Sequence, residues 1–282
     1  MNRKLDDLKE AYKDIPIPIE LETIVANALA EGKPAKKRFV WPMTSIAAAA
    51  AIFVASVNLS PAAADTLSKI PGVKEIVKVV TLDEIHEKQG STNIDVKTPE
   101  LKGFENQTLE ENINADYQTT AETLYKEYEQ KKGPFAIDSD YKTITNRHGI
   151  LSIEQTILRV EASGYEQKRY VTLDTKNEAL ITLPSLFKDT SYVNVISDEI
   201  VRQMHAQMKA DDNKIYFVEK QDEPVDYFKK IDENQSFYIN NNGKLVISFD
   251  EYEVAPGYMG VVQFVIPTKV IQSLLVGDRY IQ

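Results

Sequence analysis

"FYINNNGKLVISFDEYEVAPGYMGVVQFVIP", Phe237 to Pro267, decides the fold of the larger part of this chain. Phe237–Asn240 and Lys244–Phe249 suit half-buried strands. The Asn-Asn-Gly between them supplies positive φ at little steric cost, so the pair reads as a hairpin. Strands are expected to continue through Tyr252–Val254 and Val261–Pro267. Upstream, "LSIEQTILRVEA" (151–162) and "YEQKRYVTLDT" (165–175) read as further strands with alternating polar residues turned outward. Two helices accompany them. Thr108 and Glu111 make a capping box ahead of Leu109, Ile113, Tyr117, Leu124, Tyr125 and Tyr128, and Gly133-Pro134 closes that helix. The second is expected over 192–209, with Ile196, Ile200, Val201, Met204 and Met208 as its apolar stripe and His205 beside it on the helix face. The pattern is α+β, helices packed on antiparallel sheet.

Working outward, the charge is uneven. The net charge of the 282 residues is -10, yet residues 1–40 carry eight Lys/Arg against seven Asp/Glu and 41–64 carry none, which leaves 65–282 at -11. A domain so acidic repels nucleic acid and favours basic partners. There is no cysteine, which excludes disulfides and thiolate metal sites.

The uncharged stretch "FVWPMTSIAAAAAIFVASVNL", Phe39 to Leu59, has the length of a membrane-spanning helix, about 20 residues. Lys33, Lys36, Lys37 and Arg38 precede it, so the N-terminus is expected in the cytoplasm and the acidic part outside the cell. A buried alanine-rich helix and a cleaved signal peptide are the other readings. Against the second stands a leader of 38 residues before the apolar run, when whole signal peptides take about 15–30. Just past the span, Ala62 and Ala64 satisfy the small-x-small rule of signal peptidase, with the scissile bond before Asp65. Beyond it, Leu67, Ile70, Val73, Ile76, Val77 and Val80 recur at three- and four-residue intervals, as for a helix begun by Pro71.

Ahead of the span, Leu5, Leu8, Tyr12 and Ile15 form one short amphipathic pattern, and Leu21, Ile24, Val25, Ala28 and Leu29 a second. Two such helices cannot cover their apolar faces on each other, so they need a partner. Acidic residues on the polar faces favour a protein over a membrane surface. The expected organisation is thus 1–38 cytoplasmic, 39–60 transmembrane, 61–90 juxtamembrane, then 91–185 and 186–282 as two halves of the outer domain.

No nucleophile, zinc or phosphate-loop motif occurs, and neither a cofactor nor an enzymatic activity is expected. Asp138 and Asp140 in "IDSDYK" read as a solvated loop rather than a calcium site. One binding element stands out. In "EYEVAPGYMG", Pro256, Gly257, Tyr258 and Met259 make a turn that either projects Tyr258 to a protein partner or packs it inward as a hairpin corner.

Three stretches, "LKEAYKDIPIPIELETIVANAL" (8–29), "LSKIPGVKEIVKVVT" (67–81) and "LVISFDEYEVAPGYMG" (245–260) with "IPTKVIQSLLVGDRYI" (266–281), resemble the anti-sigma-V factors of Bacillus and its relatives over nearly the whole length. The final third is also similar to a domain found beside membrane-anchored peptidoglycan deacetylases. The first resemblance implies a cytoplasmic segment that sequesters an extracytoplasmic-function sigma factor through Leu5, Leu8, Tyr12, Leu21, Ile24, Val25 and Leu29. It implies an outer domain that binds lysozyme, with Pro256–Met259 reaching the lysozyme cleft. Signal peptidase would then cut at Ala62–Ala64/Asp65 and a site-2 protease within 46–57, freeing the sigma factor for lysozyme-resistance genes. A membrane-tethered cell-wall binding protein without signalling is the alternative.

Overall fold

The computed structural model describes residues 77–218 and 227–282. In chain order these give β1 (Lys78–Gln89), β2 (Thr92–Lys102), α1 (Gln107–Gln130), β3 (Phe135–Arg147), β4 (Ile150–Val160), β5 (Gly164–Asp174), β6 (Ala179–Ile181), α2 (Tyr192–Ala210), β7 (Phe237–Ile239), β8 (Leu245–Phe249), β9 (Val262–Ile266) and α3 (Thr268–Ile271). The first six strands form one sheet in sequence order, and β7-β8-β9 form a second. All neighbours are antiparallel except β2 and β3, which α1 joins as a crossover. The fold is α+β with mainly antiparallel sheet.

The α1 helix forms where Leu109, Ile113, Tyr117, Ala121, Leu124 and Tyr128 recur on one buried face. Its N-cap is Asn106, not Thr108: the Asn106 side chain accepts from the Leu109 N–H, and the Glu110 carboxylate accepts from the Phe104 N–H. Asn caps as well as Thr and stands two positions earlier, so the helix gains half a turn over the expected capping box. Two part-buried ion pairs then fix α1 to the sheet, Arg159 Nε–Glu127 at 2.9 Å and Arg169 Nη2–Asp116 at 2.9 Å.

Under α1 the apolar core is in two pieces. Ile94, Val96, Leu124, Ile137 and Ile157 belong to one, and Leu101, Leu109, Ile113, Ile153 and Leu173 to the other. In the strands, Thr98 separates Val96 from Leu101, and Gln155 separates Ile153 from Ile157. Gln155 Nε2 donates to Ser139 Oγ, while Thr98 Oγ1 and Gln155 Oε1 are buried without a partner. Around α2 and the second sheet the core is continuous instead, with Tyr192, Ile196, Ile200, Met204, Phe249 and Phe264 at its centre.

The sheets meet through polar groups. The Ile239 carbonyl accepts from Thr145 Oγ1 at 2.8 Å and Ser152 Oγ at 3.4 Å, and Tyr170 stacks on Tyr238 with ring centres 5.0 Å apart. This is why β4, expected to turn alternate polar residues to water, is buried almost throughout, including Ser152, Glu154 and Gln155. The chain end is tied back as well: buried Asp174 receives the Tyr280 hydroxyl at 2.8 Å and pairs with Arg279 at 2.7 Å.

Three further expectations are corrected. The helical spacing read through Val77 and Val80 ends in strand β1, paired along its length with β2; the β-branched run Val77, Val79, Val80, Thr81 prefers the pleat, and Val77 and Val79 alternate onto the core. Residues 78–89, grouped above with the juxtamembrane segment, are this strand. Asp138 and Asp140 lie on the exposed face of β3, with Lys97 paired to Asp140, and not in a loop. Tyr252–Val254 is a turn rather than a strand: the flanking Asp250 and Glu251 carboxylates take backbone N–H groups of β5, and Glu253 closes the turn on the Asp250 N–H. The Asn-Asn-Gly hairpin forms as read, with Gly243 at φ 68° donating to the Asn240 carbonyl.

Candidate functional site

Beyond β8 the chain folds back on the first sheet. Asp250 accepts from the Lys168 N–H at 3.0 Å with one carboxylate oxygen and from Gln167 Nε2 at 3.0 Å with the other. Glu251 exchanges two bonds with Glu166: its carboxylate accepts from the Glu166 N–H at 2.7 Å, and its own N–H donates to the Glu166 carbonyl at 3.1 Å. Glu253 accepts from the Asp250 N–H at 2.8 Å and from Gln235 Nε2 at 3.2 Å. With Asp250 and Glu251 bonded to Glu166, Gln167 and Lys168, and Glu253 bracing Asp250 from behind, this short acidic run serves as a latch onto the start of β5.

Within the latch Tyr252 has φ 67°, a region that costs a bulky side chain about 1–3 kcal/mol. Its ring stacks on Tyr165 with centres 6.4 Å apart and lies against the backbone of Gly257. Val254 and Ala255 then plunge into the core, and the Val254 carbonyl accepts from the Phe217 N–H at 2.8 Å. From this anchored base Pro256 opens a single 3-10 turn, Gly257–Met259, closed by the Met259 N–H on the Pro256 carbonyl at 2.9 Å. Gly260 follows with φ 61° and ψ -152°, which only glycine adopts freely, and turns the chain into β9.

The structure thus brings Pro256, Gly257, Tyr258 and Met259 together on one rigid protrusion and decides between the two orientations. Met259 packs partly into the core. Tyr258 points out, 65% exposed, and its hydroxyl donates to the Asn213 carbonyl at 3.0 Å. An exposed aromatic already ordered by its own hydrogen bond loses little entropy on contact with a partner.

The latch carboxylates differ in their environments. Burial pushes Asp250 up despite the bonds from Lys168 and Gln167, and it pushes Glu253 up to about 7. The Glu253 side chain is open to water on its far side, and that solvent screens part of the effect. Near Asn213, the backbone and side-chain bonds from Asn213 hold Asp211 below its usual range. Among the described residues no group of three His, Asp or Glu is arranged to hold a metal ion. What the arrangement offers is an exposed aromatic side chain held in one orientation on a short turn.

Sequence reasoning found the protrusion but missed what holds it. Tyr165, Gln167, Lys168 and Gln235 act from far along the chain, and nothing local marks them; the alternation of acid and aromatic in "DEYE" was the only available sign. The expected cleavage residues Ala62, Ala64 and Asp65, the sigma-binding residues Leu5, Leu8, Tyr12, Leu21, Ile24, Val25 and Leu29, and the 39–60 span lie outside the described residues. Among the described residues no helix is long and apolar enough to cross a membrane.

Comparison with known proteins agrees with this architecture. Over 288 aligned positions the chain is 51% identical to the anti-sigma-V factor RsiV of Bacillus subtilis (strain 168), covering 100% of both chains. Residues 184–269 match a family described as a protein of unknown function, DUF3298. Residues 85–158 match one described as deacetylase PdaC, so the likeness to deacetylase-associated sequence falls ahead of the final third where it was expected. Crystal structures of DUF3298 family proteins from Pseudomonas aeruginosa and Bacteroides fragilis share the fold at 14% identity. Their TM-scores are 0.53 and 0.51, and they cover 74% and 73% of this chain and 99% and 96% of their own.

Proposed function

The chain belongs to the anti-sigma-V factor family, and we propose that it is a membrane-anchored anti-sigma factor, not an enzyme, whose outer domain receives lysozyme. Full-length identity to an anti-sigma-V factor carries this reading. Residues 1–38 hold the sigma factor through their two apolar stripes, and residues 39–60 cross the membrane. Lysozymes are strongly basic, and the acidic outer part, with Tyr258 exposed on its turn, suits them in charge. Contact at Pro256–Met259 leads to signal-peptidase cleavage before Asp65, then to a site-2 cut within 46–57 and release of the sigma factor.

The likeness of residues 85–158 to a deacetylase-named family supports a second reading, a tethered cell-wall binding protein. One experiment separates the two. Cells carrying the full-length chain with an N-terminal tag are followed with and without hen egg-white lysozyme, and the new terminus of the outer fragment is sequenced. The receptor reading requires a lysozyme-dependent fragment beginning at or next to Asp65. An intact chain with lysozyme demonstrably bound leaves the tethered binder; cutting without lysozyme means an ordinary export signal.

A further inference from the structure

We infer that Tyr252 is the positioning residue of the recognition turn: its ring is the wall against which Gly257 rests, and it sets where Tyr258 stands. This deepens the reading of Pro256–Met259 as the lysozyme contact and rests on it.

Four observations carry the inference. Tyr252 occupies the left-handed region at φ 67° although it is 50% exposed, so core packing does not impose that conformation. The residues around it fix it: Asp250, Glu251 and Glu253 all bond to backbone or amide partners, and the strained residue sits between them. Gly257 does not lie in the glycine-only region of backbone space, yet a Cβ there would come within 2.2–2.4 Å of the hydroxyl end of the Tyr252 ring. The missing side chain is therefore explained by the ring and not by the backbone. Finally, the same ring stacks on Tyr165 at the start of β5, so the turn takes its position from the rigid first sheet through one aromatic contact. Tyr258, one residue beyond Gly257, inherits that position, with the Asn213 carbonyl as its second stay.

The test is a double-mutant cycle in the full-length chain, with hen egg-white lysozyme as probe. Gly257→Ala should displace the ring and weaken binding roughly tenfold. Tyr252→Gly removes the wall while relieving the left-handed backbone, so it should keep the thermal midpoint near that of the parent and still lose roughly tenfold in affinity. With the ring gone, adding Gly257→Ala should cost nothing further. Exchange of the Met259 and Gly260 amides, which close the turn on Pro256 and Gly257, should quicken in both single variants without any lysozyme present.

Tyr258→Ala separates the two levels. If it binds lysozyme like the parent, the turn is not the contact and both readings fall. If it loses binding while Gly257→Ala and Tyr252→Gly bind and exchange like the parent, the positioning role of Tyr252 is overturned and the contact survives. Equal losses from Gly257→Ala with and without Tyr252 would equally overturn it.

Discussion

The two sheets solve the problem of a stable core differently. The first is long and regular, with strands such as β3 of 13 residues and one helix laid across them, yet its core is cut by Thr98 and Gln155. The second has strands of 3 and 5 residues, loops and 3-10 turns, yet its core is unbroken. Irregular backbone needs a dense support, because strain persists only where surrounding contacts over-determine it. The left-handed Tyr252 and the glycine-only Gly260 both follow the unbroken core, whereas the left-handed His148 and Glu178 sit in the β3–β4 and β5–β6 turns of the first sheet. The regular sheet contributes a straight edge, β5, on which the acidic latch closes.

The comparison is tested most harshly at Phe249. It is fully buried and meets Phe228 and Phe264 edge to face, at 5.5 and 5.9 Å between ring centres. Phe249→Ala should cost about 3–5 kcal/mol in denaturant unfolding. Because Phe249 directly precedes the latch, lysozyme binding should fall with it. A variant that lost that much stability but kept its affinity would show that the turn does not depend on the core beneath it.

The broken core makes the opposite prediction. Thr98 Oγ1 is buried and unpartnered, and valine has the same shape without the hydroxyl. Thr98→Val should therefore raise stability by about 1 kcal/mol, measured by the same unfolding experiment. A loss of stability would mean that the hydroxyl is satisfied and that the seam under α1 is a built polar feature.

How much of this was legible follows the same division. The apolar stripes of α1 and α2 and the Asn-Asn-Gly hairpin are local signals, and they were read correctly because period and turn chemistry are set by neighbours in sequence. The strand β1 was misread because Val77 and Val80 fit a three-residue interval while Val77 and Val79 fit a pleat, and only pairing with β2 decides between them. Tyr252–Val254 was misread for the converse reason, since the Asp250 and Glu251 just before it satisfy backbone groups on β5, some 80 residues away, and Glu253 bonds back to Asp250. The turn itself was read from Pro-Gly-Tyr-Met, but the bond that holds Tyr258 outward goes to the Asn213 carbonyl, which no local pattern reveals.

Two glutamates give the smallest and most discriminating test. Glu154 in the first sheet is buried, which alone would raise its pKa, but Lys142 at 2.9 Å and Lys168 at 3.3 Å outweigh that and hold it below 4.5. Its contribution to stability is present above its ordinary pKa and lost as pH falls through the lowered one. Glu253 lies in the other region, and among the described residues no Lys or Arg pairs with it; it faces Asp250 and Asp232, with Gln235 as a neutral donor. Its pKa is raised from 4.5 to about 7, so the folded chain binds more protons than the unfolded chain between those values. Stability from this group is therefore complete below pH 4.5 and is lost as pH rises through the raised pKa. Glu253→Gln keeps the acceptor for Asp250 and removes the titration. Thermal midpoints measured from about pH 5 to 8 should decline less steeply in the variant than in the parent. Asp250 is raised for the same reason and contributes with the same sign. Parallel curves for variant and parent would show that water reaches the Glu253 carboxyl freely. The latch would then be held by geometry alone and not by a charge that the fold resists.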